Sequence, residues 1–379
     1  PKSLEDITAV IALYRPGPMD SIPRFLECSA HPEKISYKHP LLEPILSVTY
    51  GCIVYQEQVI EIFRRLAGFS LGQADMIRRA MSKKKHAVID AERQAFIHGD
   101  PERGIPGCVA NGVDEATANS IYDEILDFAS YAFNKAHAVA YAVVAYRTAY
   151  MKCHWPCEYM AALLTSVLDS TTKVAEYISE CREMGIKVLP PDVNESDARF
   201  TVVGGNIRFG LVAIKNIGER FIEQLMQERR ENGPFTGFEE FCRRMSGKEL
   251  NRRAVESMIK SGAFDNLEAK RRSMMDGVEG ILKSVESEAR RNLDGQIDLF
   301  GALDGEQESG RNVYKLPDSG EEYPYDILLQ MEKEVSGLYL SGHPLDHYRP
   351  VIEKVSTCRI SELVGENAHA YDEQNVTLV

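Results

Sequence analysis

No stretch of this 379-residue sequence stays apolar for long. The longest run, Ala138 to Tyr146, falls far short of the roughly 20 residues a membrane-spanning helix needs, so no membrane partner is expected. Nothing at the start pairs a charged end with an apolar core as a signal peptide does. A positive charge excess is also missing. Against 57 acids stand 44 lysines and arginines, and the net charge of −13 argues against a simple nucleic-acid coat. Glycine and proline are not in excess, which excludes a wholly disordered chain. The eight cysteines (Cys28, Cys52, Cys108, Cys153, Cys157, Cys181, Cys242 and Cys358) are scattered through a large chain rather than packed into a small framework. That pattern fits reduced thiols in the cytoplasm. Cys153 and Cys157 stand one helical turn apart, but no second pair completes a zinc set, so they read as buried helix residues and no metal site is expected. P-loop, Ser-His-Asp and zinc-hydrolase patterns are absent. The densest acids near a boundary, Asp192, Glu195 and Asp197, fall in a loop that reads as a linker, not in the closely set arrangement two catalytic metal ions require.

What is present is an ordinary globular composition, 44% hydrophobic and 27% charged, with length for two or three domains. The charge is uneven. Residues 281–379 hold 9 Lys/Arg against 19 Asp/Glu, or −10, which leaves only −3 for the first 280 residues. Local basic clusters there can still hold phosphates, because a phosphate feels mainly the nearby field. Pro1 is not a natural start and Asn375 to Val379 reads as the opening of a β-strand, so the chain is expected to be a fragment.

The fold is expected to be mainly α. Helical periodicity marks Gln58–Leu66, Gly72–Met81, His86–Gly99, Glu115–Phe128, Lys135–His154, Glu158–Val167 and Lys173–Glu183. Arg15-Pro16-Gly17-Pro18 is a rigid turn, and Asp100 to Gly112 an exposed loop. Leu189-Pro190-Pro191-Asp192 reads as a boundary. Beyond it, Arg199–Val203 and Asn206–Leu211 flank Gly204-Gly205 as a small β-hairpin. Further helices are expected at Gly218–Glu231, Phe238–Met245, Asn251–Ser261, Lys270–Ser287 and Leu328–Leu340, with an acidic linker over 301–322.

Four motifs carry chemistry. Ile214-Lys215-Asn216-Ile217-Gly218-Glu219 reads as a helix, a tight turn and a second helix, whose amides can hold a DNA phosphate without reading sequence. Met258 to Phe264, with Lys260, repeats the pattern; an ordinary helical corner is the competing reading of either alone, but a pair favours DNA. Asn134 can cap a helix whose first turn carries Lys135 and His137. Cations there oppose the helix dipole, and a bound polyphosphate would explain them. Tyr131, Phe133 and Tyr141 stand near enough to pack against a base or sugar, although Tyr141 and Tyr146 read better as core aromatics. Arg78, Arg79, Lys83, Lys84 and Lys85 gather five cations within eight residues, which suits a triphosphate or a nucleic-acid backbone better than a merely solvated face. Lastly, Gln296-Ile297-Asp298-Leu299-Phe300 places two large apolar residues in a polar segment, either packed locally or offered as a docking peptide.

Seven strings, in this order, resemble the alpha subunits of bacterial DNA polymerase III: Leu13–Met19, Tyr50–Val59, Ala74–Lys85, Tyr131–Ala142, Leu189–Asp192, Leu250–Asp265 and Leu338–Leu345. The resemblance implies polymerase fingers over 1–190, with the first residues bordering the palm. It implies a tandem helix-hairpin-helix and clamp-binding region over 191–300, an acidic linker plus helix over 301–350, and the truncated start of an OB-fold over 351–379. It implies that Arg78, Arg79, Lys135 and His137 meet the dNTP, and that Arg15, Lys83, Lys84, Lys85, Lys215, Asn216, Gly218 and Lys260 serve DNA. Gln296, Ile297, Asp298, Leu299 and Phe300 would bind the sliding clamp. Other replicase holoenzyme subunits are further implied partners, and Mg2+ would be held by palm aspartates outside this chain. The chain departs from the family in Ser130-Tyr131-Ala132-Phe133-Asn134-Lys135-Ala136-His137, where Gly-Tyr-Gly-Phe-Asn-Lys-Ser-His is common, and at Ser82, where glycine is frequent. A non-enzymatic DNA-binding adaptor docking on the clamp, and a lower-fidelity paralogue of the alpha subunit, stand as alternatives.

Overall fold

The computed structural model describes residues 1–16, 18–82, 86–129, 131, 133–293, 314–358, 360–364 and 375–378. The chain forms two compact units, Pro1–Cys153 and His154–Val379. The fold is mainly α, as periodicity predicts.

The first unit holds α1 (Leu4–Leu13), α2 (Ile22–Ala30), α3 (Glu43–Leu46), α4 (Gln56–Ala67), α5 (Leu71–Ser82), α6 (His86–His98), α7 (Glu115–Ala129) and α8 (Lys135–His154), the last running to the boundary. Phe63 on α4 is fully buried and meets Phe69, Phe96 and Tyr122 edge-on at 4.8–5.9 Å between ring centroids. This aromatic cluster fixes α4, α6 and α7 around one core. The loop after α6 closes through two glycines. A methyl on Gly107 would lie 2.3 Å from the Gly99 nitrogen, so only bare backbone fits. The approach to α4 is held by a buried amide: Gln58 Oε1 accepts from the Val54 and Tyr55 amides at 2.8 and 3.0 Å, and its Nε2 donates to Thr49 Oγ1 at 2.7 Å.

The second unit contains α9 (Pro156–Ser166), α10 (Thr171–Glu183), β1 (Val188–Leu189), β2 (Thr201–Val203), β3 (Asn206–Arg208), α11 (Glu219–Asn232), α12 (Phe238–Arg244), α13 (Arg252–Lys260), α14 (Arg271–Leu293), α15 (Tyr325–Ser336), α16 (Arg349–Val355) and α17 (Ile360–Val364). The sheet order is β1-β3-β2. β2 and β3 are the expected hairpin, with Val203 opposite Asn206 and both loop glycines at positive φ. β1 adds in parallel, Val188 opposite Ile207.

Several details differ from the sequence reading. The compact units part at residue 153, because α9 packs on the β2–β3 hairpin and α10 on α9. Only a 3-10 turn, Leu211–Ala213, precedes the first hairpin, where a helix was expected. Residues 375–378 are not strand; Thr377 exchanges hydrogen bonds with Thr357 instead. Cys153 is exposed and Cys157 half-buried, its thiol donating to Gly205 O, so neither is a core residue. The described end of the supposed linker is docked on α14. Tyr314 packs over Gly280, Leu316 and Pro317 pack over Gly277, and the Glu322 carboxylate accepts from the Arg271 and Arg272 amides.

Two charge networks hold the second unit's helices. The Glu228 carboxylate accepts from Arg244 Nε (2.9 Å), Asn232 Nδ2 (2.8 Å) and Lys248 Nζ. The lysine and arginine hydrogen bonds pull its pKa from 4.5 to about 2. On α14, Arg271 is 5% exposed; it donates to Asp265, to Glu332 and to the Lys260 carbonyl. Glu332 is fully buried, and its second oxygen accepts from the Leu340 and Ser341 amides at 2.8 and 2.9 Å.

Two outcomes follow for urea unfolding read by Trp155, the single tryptophan. Arg271→Ala should destabilise the second unit by about 3–5 kcal/mol, since it strands a buried carboxylate; a loss near zero would contradict the network. Because the fold favours ionised Glu228, its stabilisation is complete above pH 4.5 and fades as pH falls toward about 2. Glu228→Gln should flatten stability over that window, and an unchanged acid profile would refute the assignment.

Candidate nucleotide and nucleic-acid interfaces

In the first unit, three helix N-termini supply the groups of one cluster. Tyr55 and Phe133 pair as a parallel bridge, and the Gln56 amide donates to Phe133 O at 2.9 Å. This zips the start of α4 to the start of α8. Asn134 caps α8 as predicted, its Oδ1 accepting from the His137 amide at 2.9 Å. Glu57, in the first turn of α4, reaches across to accept from the Lys135 amide (2.9 Å) and from Asn134 Nδ2 (2.9 Å). Lys135 Nζ lies 3.2 Å from Glu5 on α1 and 5.4 Å from the centre of the Tyr55 ring.

The structure therefore corrects the inference that a cation in this turn demands a bound polyphosphate. Glu57 and Glu5 supply negative charge from within the chain. Arg78 joins the cluster from α5, donating to Gln56 Oε1 at 3.2 Å and to Asp75 at 2.7 Å. Arg79 is mostly exposed and shares Asp75 at 2.8 Å. The two guanidinium hydrogen bonds and charges, Arg78's foremost, hold the Asp75 carboxyl below the usual range. His137 meets the Phe133 and Tyr141 rings at 5.6 and 4.8 Å between centroids, tilted by 59° and 55°. Tyr141 and Tyr146 are 57% and 55% exposed, which overturns their reading as core residues.

Arg15 plays an internal part. It donates to the Ala12 and Tyr131 carbonyls at 3.0 and 2.9 Å and lies 4.2 Å from the centre of the Phe133 ring, so it braces the segment before α8. Lys83, Lys84 and Lys85 lie outside the described residues, as do Gln296 to Phe300. Sequence reasoning missed Glu5 and Glu57, whose partners lie over seventy residues away. It also missed Tyr55, whose hydroxyl is buried beneath Lys135 and has no hydrogen-bond partner among the described residues.

In the second unit the two hairpins meet. Asn216 holds positive φ (65°) and donates to Ser257 Oγ on α13 at 3.1 Å. Gly218 caps α11 with open space around its α-carbon. Lys215, Asn216, Arg253, Ser257 and Lys260 line a shallow pocket of about 430 Å³, with Glu256, Glu334 and Val335 completing it. Arg253 was not singled out from the sequence. The spacing Arg253, Ser257, Lys260 places all three on one face of α13 and was the available signal. Lys215 Nζ donates to the Glu334 carbonyl at 2.8 Å, and Lys260 Nζ pairs with the Glu334 carboxylate at 2.6 Å.

The acids at the boundary are all engaged structurally. Asp192 accepts from the Asn194 and Glu195 amides and from Asn266, Glu195 pairs with Arg208, and Asp197 pairs with Arg229. Among the described residues no group of three or more His, Cys, Asp or Glu is placed to hold a metal ion, and no helix is long and apolar enough to cross a membrane.

Comparison with known proteins adds the family. Residues 1–104 match the bacterial DNA polymerase III alpha subunit finger domain, and residues 185–274 match the helix-hairpin-helix motif. The DNA polymerase III subunit alpha of Borreliella burgdorferi is 40% identical over 95% of this chain and 30% of that protein. That of Thermus aquaticus is 41% identical over 96% of this chain and 29% of its own length. That of Saccharopolyspora erythraea is 43% identical over 99% and 31%. The chain thus spans about three tenths of the length of these curated relatives. With the finger match over Arg78 and Arg79 and the helix-hairpin-helix match over Lys215 and Lys260, the chain belongs to the family of bacterial DNA polymerase III alpha subunits.

Proposed function

We propose that this chain forms the nucleotide- and DNA-gripping part of a DNA-directed DNA polymerase at work in chromosomal replication in the cytoplasm. The observation that carries the reading is the pairing of two basic clusters with two family matches: Arg78 and Arg79 fall within the finger match, Lys215 and Lys260 within the helix-hairpin-helix match. In the whole enzyme, a primer 3′-hydroxyl attacks the α-phosphate of a dNTP and pyrophosphate leaves. Such a reaction depends chiefly on positioning and charge stabilisation.

This chain's share is to bind and orient. Arg78, Arg79 and Lys135, with His137 alongside, take the triphosphate as it displaces Glu5 and Glu57 from the cations and amides they now hold. Phe133, His137 and Tyr141 offer an aromatic surface to the base or sugar. Arg15 keeps the segment before α8 in place, and Lys83–Lys85 steady template phosphates. Lys215, Asn216, Gly218 and Lys260 hold duplex backbone without reading its sequence. As the family resemblance implies, Mg2+ would be held by palm aspartates outside this chain, where it would stabilise the charge developing on the phosphates. Gln296–Phe300 docks the sliding clamp, and other holoenzyme subunits complete the assembly.

Two measurements test the reading. Binding of a fluorescent deoxynucleoside triphosphate should weaken about tenfold or more in Lys135→Ala; no triphosphate binding, or binding indifferent to the substitution, would favour a non-enzymatic DNA adaptor. For duplex DNA, Lys215→Ala/Lys260→Ala should weaken binding uniformly across sequences and reduce the slope of log K against log salt by about 1–2. A sequence-dependent loss, or an unchanged slope, would remove these residues from the backbone contact.

A further inference from the structure

The pocket between the hairpins already holds an anion, and that anion belongs to the protein. Lys215, Arg253 and Lys260 bring three cations to it, with Asn216 and Ser257 as neutral partners, and Glu256 on its wall is engaged by Arg252 at 2.6 Å. The Glu334 carboxylate lies inside, 2.6 Å from Lys260 Nζ. Its position is unfavourable on its own helix. Glu334 stands in the last turn of α15, where the carbonyl ends carry partial negative charge and a carboxylate is repelled. The pocket's cations offset that repulsion.

The backbone beneath Glu334 is fixed. Two residues earlier, buried Glu332 ties α15 to Arg271, while the Val335 carbonyl accepts from the Lys215 amide at 2.9 Å. Lys215 Nζ holds the Glu334 carbonyl, not its carboxylate, so that bond survives if the side chain turns away. The Glu334 side chain is itself 61% exposed, so water can solvate its carboxylate once it leaves Lys260. The Glu334 carboxylate can thus part from Lys260 while the backbone contacts of α15 stay in place.

We propose that Glu334 is a specificity-determining residue of this pocket, an internal stand-in for phosphate that excludes small free anions and yields to the phosphodiester backbone of a polymer. The proposal rests on the DNA-binding reading of the hairpins. An isolated phosphate entering the pocket gains from Lys260 little more than Glu334 already provides. A duplex engages several phosphates at once, and the contacts outside the pocket supply what displacing one exposed ion pair requires.

The test uses the full chain, a short labelled duplex at low salt, and inorganic phosphate as competitor. Glu334→Gln should tighten duplex binding by about 3- to 5-fold and make it sensitive to phosphate concentrations that leave the unaltered chain unaffected. In a Lys260→Ala background the same substitution should bring no gain. Glu223→Gln, which removes an equal charge from exposed α11, should bring none either. Duplex binding by the unaltered chain with no gain in Glu334→Gln overturns this proposal and spares the DNA reading. An equal gain from Glu223→Gln, or a gain that persists without Lys260, reduces the effect to net charge and also overturns it. Failure of every variant to bind duplex would overturn the DNA reading and this proposal together. Unfolding midpoints for each variant verify that the fold is intact.

Discussion

A guanidinium cannot be taken out of water unless its donors are met, and that requirement at Arg271 organises the second unit. Its partners come from separate stretches of chain: Asp265 beyond the second hairpin, the Lys260 carbonyl at the end of α13, and Glu332 in the middle of α15. The turn itself is fitted to this group, since a methyl on Gly262 would lie 2.3 Å from Arg271 Nη2. Removing any one partner leaves a buried charge incompletely solvated. The geometry of the pocket between the hairpins is therefore inherited from a network outside its lining. α13 presents Arg253, Ser257 and Lys260, α15 presents Glu334, and Arg271 sets their relative positions.

The first unit solves a related problem by other means. Three helices begin close together and bring partial positive charge with them. Glu57 and Glu5 neutralise that field from within, so the cluster is balanced in the absence of any nucleotide. Both units thus share one arrangement: basic or amide groups are met by a carboxylate on an adjoining helix. Glu5 and Glu334 lie at the surface, while Glu57 is half-buried.

Most helices were legible because their apolar periodicity is strong and their ends carry ordinary signals, such as Asn134 before α8 and Pro156 within the first turn of α9. The β-hairpin was legible from Gly204-Gly205, since few other pairs accept positive φ at both positions. Arg78 and Arg79 were legible as a local concentration of charge, and Lys215 and Lys260 from the hairpin pattern, whereas Arg253 was missed. The counter-charges of both clusters were not legible. Glu57 reaches the Lys135 amide, and Lys215 the Glu334 carbonyl, across separations of 78 and 119 residues. The ion pairs themselves join Lys135 to Glu5 and Lys260 to Glu334, 130 and 74 residues apart, and no local pattern encodes such a pairing. Tyr141 was misread for a different reason. An alanine-rich helix looks buried by composition, yet α8 buries only its narrow Ala138–Ala142 stripe and leaves its aromatics in solvent.

Gly277 and Gly280 on α14 bear on how such a protein could be engineered. A survey of helix propensity would single them out for replacement, since glycine costs about 1 kcal/mol relative to alanine inside a helix. Here the missing side chains form a smooth channel into which Tyr314, Leu316 and Pro317 settle. An added methyl at Gly280 would stand 2.3 Å from the Tyr314 ring. The substitution favoured by the isolated helix would expel the segment that lies along it, so the weakest helix formers in α14 are the residues a stabilising redesign should leave alone.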